Sequence, residues 1–145
     1  MAKTGAVHSS LLKLPIPTVA AINGHAFAAG AILALACDFR LMREDCDRIC
    51  LSEVDVDVPI GDKSMTLLEA KLSRCTLRNM VLTGERYPAE EAITAGIVDS
   101  MVSAEESTNE VTQMAASLAS KERAIFNELK RTLYGRVAEG LGTLA

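Results

Sequence analysis

Residues 17–38, PTVAAINGHAFAAGAILALACD, decide the fold. An apolar β-type run, Thr18–Ile22, stops at an Asn23-Gly24 turn. A cluster of small residues follows, Ala28-Ala29-Gly30-Ala31, and opens into Ile32–Cys37, a run suited to a buried helix. The apolar stretch from Ala26 to Cys37 has 12 residues, whereas a bilayer-spanning helix needs ~20. No membrane span is expected. The first N–H groups of a helix have no intrahelical partner, and the helix dipole adds to their pull on an anion or a developing oxyanion. Small side chains let a ligand come close to that backbone. Strand, turn and buried helix also make a common packing unit, and GHAFAAG has neither the Gly-Lys-Ser/Thr of a P-loop nor the G-x-G-x-x-G spacing. Pattern alone leaves both readings open.

A resemblance separates them. The segment AAINGHAFAAGAILALACDFRL, residues 20–41, resembles the central signature of the crotonase (enoyl-CoA hydratase/isomerase) superfamily, A-A-x-N-G-x-A-x-G-G-G-x-x-L-x-x-x-C-D. Residues 81–102, VLTGERYPAEEAITAGIVDSMV, resemble its downstream signature, L-T-G-x-x-x-x-A-x-E-A-x-x-x-G-L-V-x-x-V-V. The two stand in the family's order and spacing, and the resemblance runs from Leu11 to Gly135. The family's N-terminal part lies outside it. The resemblance implies an α/β fold, the C-terminal part of the crotonase-like (ClpP/crotonase) β-β-α superhelix. A partial core over 1–102 and a helical region over 103–145 are expected to form one domain unit.

Composition bounds the rest. A 145-residue chain buries about 68% of its unfolded surface, enough for a real core. Hydrophobic content of 49% with 23% charged residues excludes a disordered chain. Net charge is −4 with no basic run, so nucleic acid is not an expected partner. Cys37, Cys46, Cys50 and Cys75 form no C-x-x-C pair and have no histidine at zinc spacing, so reduced thiols and no metal site are expected. MAKTGAVHSS lacks the apolar core of a signal peptide, and Thr143-Leu144-Ala145 is not an S-K-L address.

Along the chain, Met1–Ser10 reads as a loose lead or the tail of an earlier helix, with Leu11–Leu14 as its end before Pro15 and Pro17. Phe39–Met42 reads as a short strand and Arg43–Arg48 as a charged turn. In Ile49–Val58, Glu53, Asp55 and Asp57 alternate with Val54, Val56 and Val58, which predicts a strand with an acidic face and an apolar one. Parallel pairing through right-handed crossovers is expected for Thr18–Ile22, Phe39–Met42 and Ile49–Val54. Helices are expected from an Asp62 cap, from a Ser73 cap closed by Gly84, and from Pro88 to Gly96. Ser103-x-x-Glu106 and Ser107-x-x-Glu110 are overlapping capping boxes that start a further helix. A last helix should turn Ile125, Leu129, Thr132 and Leu133 inward, carry Lys130 and Arg131 near its C-terminal dipole, and end at Gly135. The helices from Ser107 onward are expected to project from the sheet as an oligomer or lid layer.

By resemblance, Ala29 stands at the middle glycine of the family's G-G-G and gives one N–H to the oxyanion hole that holds an acyl-CoA thioester. Ala28, Gly30 and Ala26 flank it as substrate-binding backbone. The second donor belongs to the family's N-terminal part. Family hydratases use two glutamates, and this chain has Ile32 in place of the first and Glu53 in place of the second. ICLSEVDVDVP also resembles the strand of the family's Δ3,Δ2-enoyl-CoA isomerases, in which one glutamate suffices, and NGHA-x-A-A-G with SEVD is similar to the plant peroxisomal type. The resemblance therefore implies a Δ3,Δ2-enoyl-CoA isomerase of fatty-acid β-oxidation with Glu53 as base. The alternatives are hydratase-like activity or a non-catalytic oligomer partner. No cofactor is expected, coenzyme A being part of the substrate. A trimer-type homo-oligomer and a peroxisomal location are implied, with the cytoplasm as the other compartment. His25, directly after the turn, reads as a polar cap.

Overall fold

The computed structural model describes residues 2–45 and 48–141, with side chains from Ala6 onward. Cys46 and the terminal tripeptide lie outside the described residues. Two small parallel sheets organise the chain. In the first, β1 (Val19–Ile22) pairs with β3 (Phe39–Arg43), and β3 with β5 (Ser100–Val102). In the second, β2 (Ala26–Phe27) pairs with β4 (Ile49–Cys50). Between β2 and β3 runs α2 (Ala29–Ala36), whose Ala31, Leu35 and Ala36 are fully buried. It touches both sheets, α1 (Ala2–Lys13) and α3 (Asp62–Lys71), which is why small and aliphatic residues fill it.

Parallel pairing of β1 with β3 is as expected, but Ile49–Val54 does not extend it. Only Ile49 and Cys50 are strand, and they pair with β2 instead. β2 is two residues long, so the chain beyond Cys50 has no ladder partner and satisfies its backbone locally. Glu53–Val56 is a 3₁₀ turn: Asp55 N–H donates to Ser52 C=O at 3.1 Å, and Val58 N–H to Glu53 C=O at 3.0 Å. The expected division into an acidic outer face and an apolar inner one is lost as well, since Asp55 and Asp57 are exposed together with the valines. Val54, Val56 and Val58 are exposed, while Glu53 is buried.

The middle helices follow their local signals. Ser73 Oγ accepts from Thr76 N–H at 3.1 Å and caps α4 (Arg74–Thr83), which Gly84 closes at φ 64°. Gly61, not Asp62, stands at the N-cap of α3, with Asp62 in the first turn. Pro88 leads α5 (Ala89–Thr94). Ser103 accepts from Glu106 N–H at 3.3 Å, but α6 (Ser107–Ala119) itself starts without a side-chain cap.

The C-terminal helices do not project away. α6 packs across β1 and β3, and α7 (Arg123–Leu141) packs against α1 and α3. The inner face of α7 is also not the expected one. Ile125, Leu129 and Leu133 are exposed, whereas Lys130, Ala138 and Leu141 are buried and Phe126, Tyr134 and Val137 are partly so. The helix continues past Gly135 because its last turns are held: Ser9 Oγ donates to Ala138 C=O at 2.9 Å, and Lys63 Nζ to Leu141 C=O at 3.2 Å.

Lys130 reaches inward to a purpose. Its Nζ donates to Asp38 Oδ2 at 2.7 Å and to Ile16 C=O at 3.1 Å, with both charged side chains buried. Removing one partner of a buried pair strands the other charge. Lys130→Met should therefore cost about 3 kcal/mol in urea unfolding. An unchanged midpoint would rule out the pair as the clasp of α7. His8, fully buried on α1, has no hydrogen-bond partner at Nδ1 among the described residues. Burial holds its imidazole below the ordinary 6.5. The fold thus keeps His8 neutral while the unfolded chain takes the proton first. Stability should hold above about pH 6.5 and fall as pH drops toward the depressed folded value, and His8→Leu should flatten that slope.

Candidate active site

β2 and β4 lie side by side and parallel, so both chains leave the ribbon at the same end. Ala26 N–H donates to Arg48 C=O at 3.1 Å and Ala28 N–H to Cys50 C=O at 3.0 Å. One chain then starts α2 at Ala29; the other reaches Glu53 three residues past Cys50. Short parallel strands thereby bring a helix N-terminus and a carboxylate-bearing turn to one place.

The helix start is strained and open. Ala28, the N-cap of α2, has φ 50° and ψ −117°, a conformation that favours glycine. It stands where the family motif has the first of its three glycines, which gives that glycine a physical reason. The first intrahelical bond is Ile32 N–H to Ala28 C=O at 3.0 Å, so α2 itself leaves over the N–H groups of Ala29, Gly30 and Ala31. Ala29 and Gly30 are exposed, and a Cβ at Gly30 would meet nothing within 4 Å. A cleft of about 350 Å³ runs between residues 20–26, from β1 through the turn to the start of β2, and α2 at Gly30, Leu33, Ala34 and Cys37.

Of the three carboxylates in the 3₁₀ segment, only Glu53 is inside. It is 8% exposed, and its Oε2 has no hydrogen-bond partner among the described residues. Asp55 and Asp57 are exposed. Ile32, one turn into α2, is 5% exposed and belongs to the core. His25 is exposed and stacks at 4.7 Å on Phe27, whose ring also lies 5.2 Å from the Arg86 guanidinium. The stack beside the ribbon carried no sequence signal, because Arg86 arrives from the loop after α4.

The chain belongs to the enoyl-CoA hydratase/isomerase family, whose model matches residues 2–142. Among curated relatives, it is 38% identical over 133 residues to Enoyl-CoA delta isomerase 3 of Arabidopsis thaliana, covering 88% of this chain and 56% of that protein. It is 37% identical over 141 residues to the peroxisomal Enoyl-CoA delta isomerase 2 of the same plant, covering 94% and 59%. Its fold matches the crystal structure of an enoyl-CoA hydratase from Mycobacterium marinum with a TM-score of 0.91 at 22% identity, over 97% of this chain and 62% of that one. The crotonase-type fold expected from the motifs is thus the fold of the chain. It spans a little over half the length of the curated relatives it matches.

The strain at Ala28 is testable. A non-glycine residue held in such a conformation costs on the order of 1–3 kcal/mol. Ala28→Gly should raise stability by about 1 kcal/mol in urea unfolding, the relief exceeding the added chain entropy. A loss of stability would show that Ala28 is not strained.

Proposed function

We propose that this chain carries the chemistry of a Δ3,Δ2-enoyl-CoA isomerase, with Glu53 as the single acid–base group. The observation that supports it best is the buried Glu53 carboxylate, whose Oε2 has no hydrogen-bond partner among the described residues, past the end of the ribbon from which α2 also starts. The Glu53 carboxylate takes a proton from C2 of a 3-enoyl thioester. The electron pair moves onto the thioester oxygen, giving a dienolate, and the Ala29 N–H donates to that oxygen. Removing one such donor typically costs ~2.7–4 kcal/mol of barrier. Ala28, Gly30 and Ala26 keep the approach to that N–H narrow and free of bulky side chains. Glu53 returns the proton to C4, and the double bond ends between C2 and C3. No atom is gained or lost, so no cofactor enters beyond the coenzyme A of the substrate.

Hydration is a different demand, since water must be activated by a second group. Ile32 offers none. The isomerase names of the Arabidopsis relatives support the same choice, and the peroxisomal one supports that compartment for this chain. The exposed stripe Ile125, Leu129 and Leu133 on α7 supports assembly with other copies, the trimer-type homo-oligomer that the motifs imply.

Glu53→Gln keeps size and removes the carboxylate, so isomerisation of a 3-enoyl-CoA should fall by about 10²–10⁴-fold with acyl-CoA binding little changed. Asp57→Asn should leave the rate near that of the parent. Damage from Asp57→Asn but not from Glu53→Gln would overturn the assignment. Hydration of a 2-enoyl-CoA as fast as isomerisation would move the reading to a hydratase, and an inert chain that still joins oligomers would make it a non-catalytic partner.

A further inference from the structure

We propose that Asp55 and Gly84 are positioning residues for Glu53: the Asp55 carboxylate seats the 3₁₀ turn on the glycine that closes α4. This rests on Glu53 as the base of the proposed reaction, although its decisive readout does not need activity. The problem it answers is what holds the Glu53 side chain. Its Oε2 is buried with no hydrogen-bond partner among the described residues. Its placement then depends on packing and on the backbone turn that carries it.

The chain from β4 through that turn meets the segment Gly84–Tyr87 at two points. At one end, Ile49 and Tyr87 exchange backbone hydrogen bonds, each at 3.0 Å. At the other, the Asp55 carboxylate fills the place that a side chain at Gly84 would take. A Cβ on Gly84 would lie 2.8 Å from Asp55 Oδ2 and 3.1 Å from its Cγ. Gly84 is buried, with φ +64° and its N–H on Met80 C=O at 3.1 Å, so it cannot shift without opening the end of α4. Within the turn, Asp55 N–H bonds Ser52 C=O, and Glu53 C=O accepts from Asp57 and Val58. Glu53 and Asp55 therefore move together, and whatever seats Asp55 seats Glu53. The molecule contains its own control. Gly96 has a similar φ of +71°, yet a Cβ there would meet nothing within 4 Å. Alanine at either site meets similar backbone strain, but only at Gly84 does it meet Asp55.

The test compares Gly84→Ala, Gly96→Ala, Asp55→Ala, Asp55→Asn and the Asp55→Ala/Gly84→Ala double variant in the full chain. The readouts are the ¹³C carboxyl resonance of Glu53, assigned by its loss in Glu53→Gln, and amide exchange of Val58. Gly84→Ala and Asp55→Ala should each move the resonance and speed exchange by about tenfold or more. Gly96→Ala should move neither. Asp55→Asn, with the same shape, should stay near the parent. The double variant should be no worse than Asp55→Ala alone, because the clash has lost its partner. In isomerase assays, the seat variants should lose kcat by about tenfold or more with KM nearly unchanged. Should Gly84→Ala fail to fold, Asp55→Ala decides, since it changes an exposed side chain. An unmoved Glu53 resonance in Asp55→Ala, or equal disturbance by Gly96→Ala and Gly84→Ala, overturns the seat. A parent chain without isomerase activity overturns the function and leaves the resonance test standing.

Discussion

One carboxylate oxygen, Asp38 Oδ2, holds the architecture together. It accepts from Thr18 N–H at 2.8 Å, Thr18 Oγ1 at 2.9 Å and Lys130 Nζ at 2.7 Å. In return, Asp38 N–H meets Thr18 Oγ1 at 2.9 Å. This clasp sits one residue before the ladder Val19↔Phe39 begins, so it fixes the register of β1 on β3. Register matters most here because β1 has only four residues, and a slip by one turns every side chain to the other face. The same oxygen binds a lysine 92 residues away, so α7 docks against the root of the sheet rather than at an arbitrary place on its surface. A buried pair of this kind contributes more to specifying one arrangement than to net stability, since desolvation offsets much of the attraction.

The device recurs at the next strand. Asp99 Oδ2 accepts from Arg40 N–H at 2.7 Å just before β5, and Asp99 N–H bonds Arg40 C=O at 2.9 Å. The Arg40 side chain then spans to Ile97 C=O at 2.8 Å and Cys37 C=O at 3.0 Å. Cys37 C=O, at the C-terminus of α2, also receives Lys71 Nζ at 3.1 Å. Two cations at the negative end of a buried helix are favourable by its dipole. Burial, with Arg40 adding to it, lowers the Lys71 ammonium to about 8. Its carbonyl partner and the face of Tyr134, 3.8 Å away, give the charge a place to reside. In the three-stranded sheet, β3 and β5 are thus each started by an acid that pins them to the neighbouring strand.

What could be read in the sequence was what local chemistry decides. The strand–turn–helix of 17–38, the Ser73 cap and the left-handed Gly84 need only neighbours in the chain. What could not be read was what the partner decides. Glu53–Val56 alternates like a strand, but alternation requires a neighbouring strand to become one, and β2 ends too soon. The apolar stripe of α7 suggested an inner face, yet the buried face is the one that brings Lys130 to Asp38 and Tyr134 to Lys71. An acid 92 residues away chose it, and no periodicity in the helix encodes that. The same holds at the site. The small-residue helix start and Glu53, the residues of the proposed site, were visible, but the two-residue ribbon from whose one end both segments leave was not.

Polar groups at the roots of β3 and β5 are bonded to their neighbours, whereas the end of the β2–β4 ribbon departs from local preference at Ala28 and at Glu53. Ala28 is held at φ 50°, and Glu53 Oε2 is buried without a hydrogen-bond partner among the described residues. Neither would persist on its own. Ala28 is fixed between the bond from its N–H to Cys50 C=O and the bond from Ile32 N–H to its C=O, so strand and helix together over-determine it. Glu53 is carried by the turn, whose bonds from Asp57 and Val58 N–H go to its carbonyl and leave its carboxylate out. Strained or unsatisfied groups that survive in this way concentrate where a protein needs backbone donors or carboxylates left unoccupied. A carboxylate already bonded by the fold would have to break that bond before taking a proton from a substrate. With Oε2 unpartnered among the described residues and the turn held by its own backbone bonds, the carboxylate suits the role of base proposed for it.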